Sequence, residues 1–352
     1  MKNKFINVIS ICLVTFLLAG CGDGIDIALV TDTGTVTDKS FNQGAYEGII
    51  RYTEENEKIS KVYEPKDATT DCYLANIKQA VSDGADVIVC PGVLFEEAVY
   101  TAQKKYPYVE FILLDGEPHN NAYTDYDIKE NTMPMTFAEE QAGFLAGYSA
   151  VRDGNTELGF MGGSDLDYVI RYGYGFVQGA DYAAIERGVE VNVRYCYSNT
   201  FLESEAVKSK AMQWYDDGCQ VIFACGGLMG KSVMAAAEES NGKVIGVDVD
   251  QSIMSSTVIT SAKKMLSNAV YTGLSNYYDE TFLGGTSYIR DATNYGVGLE
   301  LENSRFESFS ETEYDMIFGQ LLSGRITPYA STEYGNCSDL EFVNIVVDYQ
   351  EL

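Results

Sequence analysis

Short apolar runs recur along this chain, each closing on glycine, proline or aspartate, with segments of helical spacing between them. The first, Ile27–Val30, has no polar position, as a strand covered on both faces requires. It ends in the turn-forming cluster Thr31-Asp32-Thr33-Gly34. Gln43, Ala45, Tyr46 and Ile49 then open a helix, which either Asp38 or Ser40 can cap. A weak strand at 61–63 is followed by strands at 86–90 and 109–114, ending in Pro91-Gly92 and Asp115-Gly116. Helical spacing covers 73–82 and 95–105.

The stretch 119–131 has few apolar runs and reads as a crossing between two lobes. Alternation then restarts, with strands at 158–161, 189–197, 220–225 and 244–247 and helices at 137–150, 169–187, 203–216 and 232–239. Strands alternating with helices predict an α/β fold with parallel sheets. Two similar half-chains predict two lobes with a cleft between them. No short-period repeat or low-complexity tract interrupts the pattern.

At 352 residues the chain is long enough for two full cores, and 46% hydrophobic with 22% charged residues is a globular composition. Residues 1–20 differ from the rest. Lys2 and Lys4 precede an apolar run at 5–18 that is too short for a good membrane span, as in a signal peptide. The ending Leu17-Leu18-Ala19-Gly20-Cys21 resembles a bacterial lipobox. That resemblance implies cleavage before Cys21, a lipid on its sulfur, and a folded body anchored to the cell membrane outside the cytoplasm.

Charge narrows the partners. The chain carries 24 basic and 52 acidic residues, and loss of Lys2 and Lys4 leaves 22 against 52, a net charge of −30. Such a surface repels polyphosphate backbones, which argues against nucleic acid. Six cysteines remain beyond Cys21, namely Cys72, Cys90, Cys196, Cys219, Cys225 and Cys337, and outside the cytoplasm an even set can pair. None has CxxC spacing and His119 is the only histidine, so neither a zinc site nor a Ser-His-Asp triad can be assembled. No cofactor is expected. Gly226-Gly227-Leu228-Met229-Gly230-Lys231-Ser232 imitates a phosphate loop, but Cys225 stands where its first glycine belongs.

Candidate binding chemistry lies at the strand ends. Asp32 with Asp38, Asp115, the Gly226-Gly227 pair, and Asp248 with Asp250 would converge on one cleft in doubly wound lobes. Carboxylates only accept hydrogen bonds, which suits a ligand rich in hydroxyl or N–H donors and disfavours phosphates. A nucleoside or a sugar fits. Tyr46, Tyr168, Tyr172 and Tyr174 supply aromatic faces for a planar ring or a sugar.

VTDTGTVTDKSFNQGAYEG, FILLDG, FAEEQAGFLAG, GFMGGSDLDYVIRYGYGF, IFACGG and IGVDVDQ occur in this order behind the lipobox. The set resembles the basic membrane protein family, lipid-anchored substrate-binding proteins of ABC importers that include purine nucleoside receptors. The resemblance implies the type I periplasmic-binding-protein fold, two Rossmann-like lobes joined by three crossings, with a hinge and an interlobe cleft. It implies an N-terminal lobe of 21–125 plus about 258–290 and a C-terminal lobe of 126–257 plus about 291–352. It implies a small-molecule nucleoside as ligand, an ABC permease as partner, and no catalysis.

For the site, the resemblance implies ligand contacts from Asp38 and Asn42, with Thr37 where the family motif has Asn, and a stacking ring at Tyr46. It further implies ligand-facing carboxylates at Asp115 and Asp248, a second ring at Phe223, backbone contact at Gly227, and a lysine at Lys264, with Lys263 as the alternative. A receptor of the same fold for another neutral ligand such as a sugar, signalling rather than transporting, is the alternative reading; a nucleosidase using paired carboxylates stands third.

Overall fold

The computed structural model describes residues 24–32 and 34–352, so the expectations for 1–20 and Cys21 lie outside the described residues. The chain begins with β1 (Ile27–Val30), α1 (Phe41–Asn56), β2 (Ser60–Tyr63), α2 (Thr70–Ser82), β3 (Val87–Pro91), α3 (Glu96–Lys105), β4 (Glu110–Leu114) and β5 (Thr132–Phe137). There follow α4 (Glu139–Arg152), β6 (Glu157–Gly162), α5 (Asp167–Arg187), β7 (Val191–Tyr197), α6 (Glu205–Asp216), β8 (Val221–Cys225), α7 (Met229–Ser240) and β9 (Lys243–Asp248). It closes with β10 (Val258–Lys264), α8 (Leu266–Tyr278), β11 (Tyr288–Arg290), β12 (Val297–Leu299), α9 (Glu311–Leu322) and β13 (Ile345–Tyr349).

Two sheets result among the described residues. One is six-stranded, in the order β11-β5-β4-β3-β1-β2, and the other seven-stranded, in the order β12-β10-β9-β8-β6-β7-β13. Apart from the antiparallel β10–β12 pair, the ladders are parallel. Every residue of β1, β3 and β8 is buried, which is why these strands are uniformly apolar. Separate apolar clusters on the outer faces, around Tyr73, Ile77 and Phe95 in one lobe and Trp214, Val233 and Met234 in the other, are what the helices cover. The doubly wound architecture of two lobes is as expected.

The crossings differ from the expectation. The stretch 119–131 stays in the first lobe, tied by a bridge between His119 and Tyr126. His119 is 4% exposed and lies 2.9 Å from Glu96. The chain crosses first between β5 and α4, second between β10 and α8, and third between β11 and β12, since these pairs belong to or pack on different sheets. The expected boundaries at 125 and 258 therefore shift. β5 pairs with β4 in the first sheet, and β10 pairs with β9 in the second. Pro134 hides β5 in the sequence, because proline argues against an interior strand. Here β11 pairs only with Met135–Phe137, so Pro134 lies short of that ladder. Hydrogen bonds from Ala138 N to Arg290 O (3.0 Å) and from Ala292 N to Gln141 Oε1 (2.8 Å) splice the first crossing to the third. Cys72, Cys90, Cys196, Cys219, Cys225 and Cys337 are free thiols, and all except Cys72 are buried.

Candidate functional site

Lys264 is the centre of the cleft. As the last residue of β10 it stands at the second crossing, and its side chain is 1% exposed. Successive strand residues point to opposite faces. Lys263 accordingly turns away, to Glu300 at 2.9 Å, while Lys264 turns toward Asp115. The Lys264 ammonium pairs with Asp115 of the other lobe and with Glu139 Oε1 at 2.8 Å. Glu139 is the first residue of α4, at the first crossing, and is fully buried; its Oε2 accepts from Arg171 Nε of α5 at 2.5 Å. The result is a chain of alternating charge, Asp115–Lys264–Glu139–Arg171, running through the hinge. The rings of Phe41, Tyr168, Phe137 and Tyr172 surround the same ammonium at 5.3 to 5.6 Å.

Electrostatics follow from burial and partners. Burial pushes the Asp115 carboxyl up to about 7, opposed by Lys264. Burial likewise raises Asp248, opposed by Lys264 and by the Ser40 hydroxyl. For Glu139 the balance reverses: burial disfavours its charge, but Lys264 and Arg171 together hold its carboxyl below the usual range. Its place at the helix N-terminus acts in the same direction. Burial also works against the Lys264 ammonium, yet Asp115 and Glu139 keep it firmly protonated. Asp115 Oδ1 has no hydrogen-bond partner.

Asp115 and Asp248 end equivalent strands of the two lobes, and both have left-handed backbone, with φ of 60° and 67°. Such a backbone is uncommon outside glycine, though aspartate tolerates it better than most. Across the cleft Asp248 Oδ2 accepts from Ser40 Oγ at 2.7 Å, and Gln251 Nε2 donates to Lys39 O at 3.0 Å. The lobes thus meet through the loop before α1.

The other expected site residues divide. Ser40 occupies the N-cap position of α1, but the capping bonds come from Asp38, which accepts from the backbone N–H of Ser40, Asn42 and Gln43 at 2.8 to 3.2 Å. Asn42 is 2% exposed, and its amide donates to Asp32 and Asp38 at 2.7 and 2.9 Å. Asp38 and Asn42 therefore build the loop. Gly227 has φ of 57° in the β8–α7 turn, with Phe201 O 3.5 Å from where a Cβ would stand. Asp250 is a turn residue, bonded to Ser252 N and Asn303. Tyr174 is buried and bonded to Asp339, away from the lysine.

The expected rings are packed against the lobe core. Phe223 is fully buried, with Phe160, Tyr172 and Phe176 packed around it, so it belongs to the lobe core. Tyr46 and Phe41 of α1 are both partly buried rings packed on the core, and Phe41 also lies 5.3 Å from the Lys264 ammonium. Glu139 and Arg171 escaped the sequence reading as well. Their signal was an arginine inside the apolar Tyr168-Val169-Ile170-Arg171-Tyr172-Gly173 stretch, which demands a buried counter-charge.

Among the described residues no helix is long and apolar enough to cross a membrane, and no cluster of His, Cys, Asp and Glu is suited to a metal ion. A family model described as ABC transporter substrate-binding protein PnrA-like matches residues 25–321. Basic membrane protein A1 of Borrelia garinii subsp. bavariensis is 30% identical over 344 residues, covering 95% of this chain and 98% of that protein. The ABC transporter nucleoside-binding protein BmpA of Lactococcus lactis subsp. cremoris is 27% identical, covering 91% and 99%. In structure the chain is similar to an ABC transporter solute-binding protein from Aeropyrum pernix K1, with a TM-score of 0.74, 21% identity, and coverage of 86% and 92%.

Proposed function

The chain belongs to the PnrA-like family of ABC transporter substrate-binding proteins, and from that premise we propose that it captures a purine nucleoside for an importer while held at the membrane by a lipid on Cys21. The observation that carries the ligand class is the unpartnered, buried Asp115 Oδ1 beside Lys264, with aromatic rings from both lobes around them. An ammonium has three donors; Asp115 takes one, and Glu139 Oε1 lies 2.8 Å away as an ion-pair partner that accepts no hydrogen bond, so a donor stays open for a ligand. One free donor next to one free acceptor matches an amide edge of a base or a pair of ribose hydroxyls. The rings supply stacking faces. The Lactococcus relative is named for nucleoside binding, which supports the same class.

Calorimetry at pH 8 should show inosine binding, with its 5′-monophosphate at least about tenfold weaker, a gap of roughly 1.4 kcal/mol. Equal or tighter binding of the monophosphate, or capture of arabinose in place of any nucleoside, overturns the reading. The pH dependence has a definite sign. A ligand N–H or O–H needs Asp115 ionised, so lowering the pH from 8 to 6, through its value of about 7, should weaken inosine binding about tenfold. Folding responds oppositely. An acid whose folded pKa is raised favours the folded state as pH falls below that value, so weaker binding at pH 6 would not reflect unfolding through this group.

Phe41→Ala should cost about 1–3 kcal/mol of nucleoside affinity, the range found for base stacking on aromatic side chains. Tyr46→Ala should leave the titration nearly unchanged. The reverse order would return the stacking role to Tyr46. For the anchor, Cys21→Ala should release the protein from membranes, and unchanged membrane association would exclude a lipid at that residue.

A further inference from the structure

We propose that Glu139 is a specificity-determining positioning residue, which pairs with Lys264 inside the hinge and thereby restricts the cleft to neutral ligands. The inference rests on the nucleoside reading and deepens it. Without Glu139, the side chains at the cleft would be Lys264 facing Asp115 and Asp248, with Arg171 behind. With it, the buried group holds three carboxylates against two cations, and the lysine's charge is matched on both sides.

The geometry commits Glu139 to this task. It is fully buried, with one oxygen 2.8 Å from Lys264 and the other 2.5 Å from Arg171, so each oxygen is set against a cation. It also lies on the first crossing while Lys264 lies on the second, so the pair fixes the lysine relative to the hinge rather than to one lobe. Arg171 acts from behind. It balances Glu139 and lets that carboxylate stay ionised in a dry setting, where an unpaired charge would be too costly to keep. A phosphorylated ligand arriving at Lys264 would have to displace a buried carboxylate that is already paired twice. A neutral ligand needs only the remaining donor of Lys264 and the open oxygen of Asp115.

Two variants shift the charge in opposite directions. Glu139→Gln keeps the shape and removes one negative charge; Arg171→Gln keeps the carboxylate and removes its rear cation. Calorimetry of each against inosine and inosine 5′-monophosphate gives the ratio of affinities. Glu139→Gln should narrow the preference for the nucleoside at least tenfold, and Arg171→Gln should preserve or widen it. A merely structural role would weaken both ligands alike, so an unchanged ratio in Glu139→Gln overturns the proposal. If that variant does not fold, Arg171→Gln decides, and a narrowed ratio there overturns it.

Failure of the nucleoside reading looks different, because wild type itself then binds neither ligand or binds the monophosphate at least as tightly as inosine. In that case thermal shift in inorganic phosphate carries the decision. Glu139→Gln should be stabilised by phosphate more than wild type is, and equal shifts overturn the proposal.

Discussion

Lys264→Met should lower folding stability by about 3–5 kcal/mol at pH 8 and abolish ligand capture. Removing one member of a buried ion pair leaves the other without compensation, and this is the costly way to break such a pair. Here two carboxylates lose their partner together, Asp115 and the fully buried Glu139. Glu139 keeps Arg171, but Asp115 keeps nothing of opposite charge among its hydrogen bonds, and its Oδ1 is already unpartnered. The loss should shrink towards pH 5, because an unpaired buried carboxyl escapes its cost by taking up a proton. Adding Asp115→Asn to Lys264→Met should recover at least half of the lost stability without restoring binding. Chemical denaturation at pH 8 and pH 5 measures both effects, and a loss below about 1 kcal/mol at pH 8 would show that the array contributes little to the fold.

Much of this architecture was legible in the sequence, for a simple reason. Parallel strands buried on both faces must be apolar throughout, so β1, β3, β4, β8 and β9 announce themselves by runs that close on glycine, proline or aspartate. The same uniformity limits what a run can tell. Nothing in Val221-Ile222-Phe223-Ala224-Cys225 says which face of β8 a ring occupies, and Phe223 proved to be core. β5 was concealed by Pro134, and with it the position of the first crossing.

The acids of the site were easier to find than its balance. Asp115 and Asp248 stand where strands end, and the lobe geometry brings such ends to one cleft. Glu139 and Arg171 sit within helical spacing, where charges ordinarily mark a solvated face; only the tertiary contact between α4 and α5 makes them a buried pair. The rings are harder to place from the sequence than the acids. At 3.6 residues and 5.4 Å per turn, Tyr46 lies about 140° round α1 from Phe41 and roughly 7.5 Å further along it. Phe41, which opens the helix, lies 5.3 Å from the Lys264 ammonium.

The same pair of helices yields the other large effect. α4 and α5 cross at a distance only glycine permits. A Cβ on Gly147 would stand 1.9 Å from Phe176 O, and one on Gly175 would stand 1.9 Å from Glu140 O. Gly143 and Gly179 are equally tight, at 2.1 Å from Tyr172 O and 2.0 Å from Phe144 O. The obstacle in each case is backbone, which cannot rotate aside as a side chain can. Gly147→Ala or Gly175→Ala must therefore push the helices apart, although alanine is the better helix former by about 0.8–1.0 kcal/mol. Overpacking of this kind costs about 1–3 kcal/mol and more where nothing yields, and the double variant should lie at or above the top of that range. Since α4 carries Glu139 and α5 carries Arg171, separation should also loosen the array and weaken nucleoside binding. Gly319→Ala on α9 is the control, because nothing lies within 4 Å of its Cβ position. It should gain stability where the other two lose it. Thermal unfolding of the three variants reads the sign directly, and a Gly147→Ala protein as stable as Gly319→Ala would mean that the helices are not in contact at this crossing.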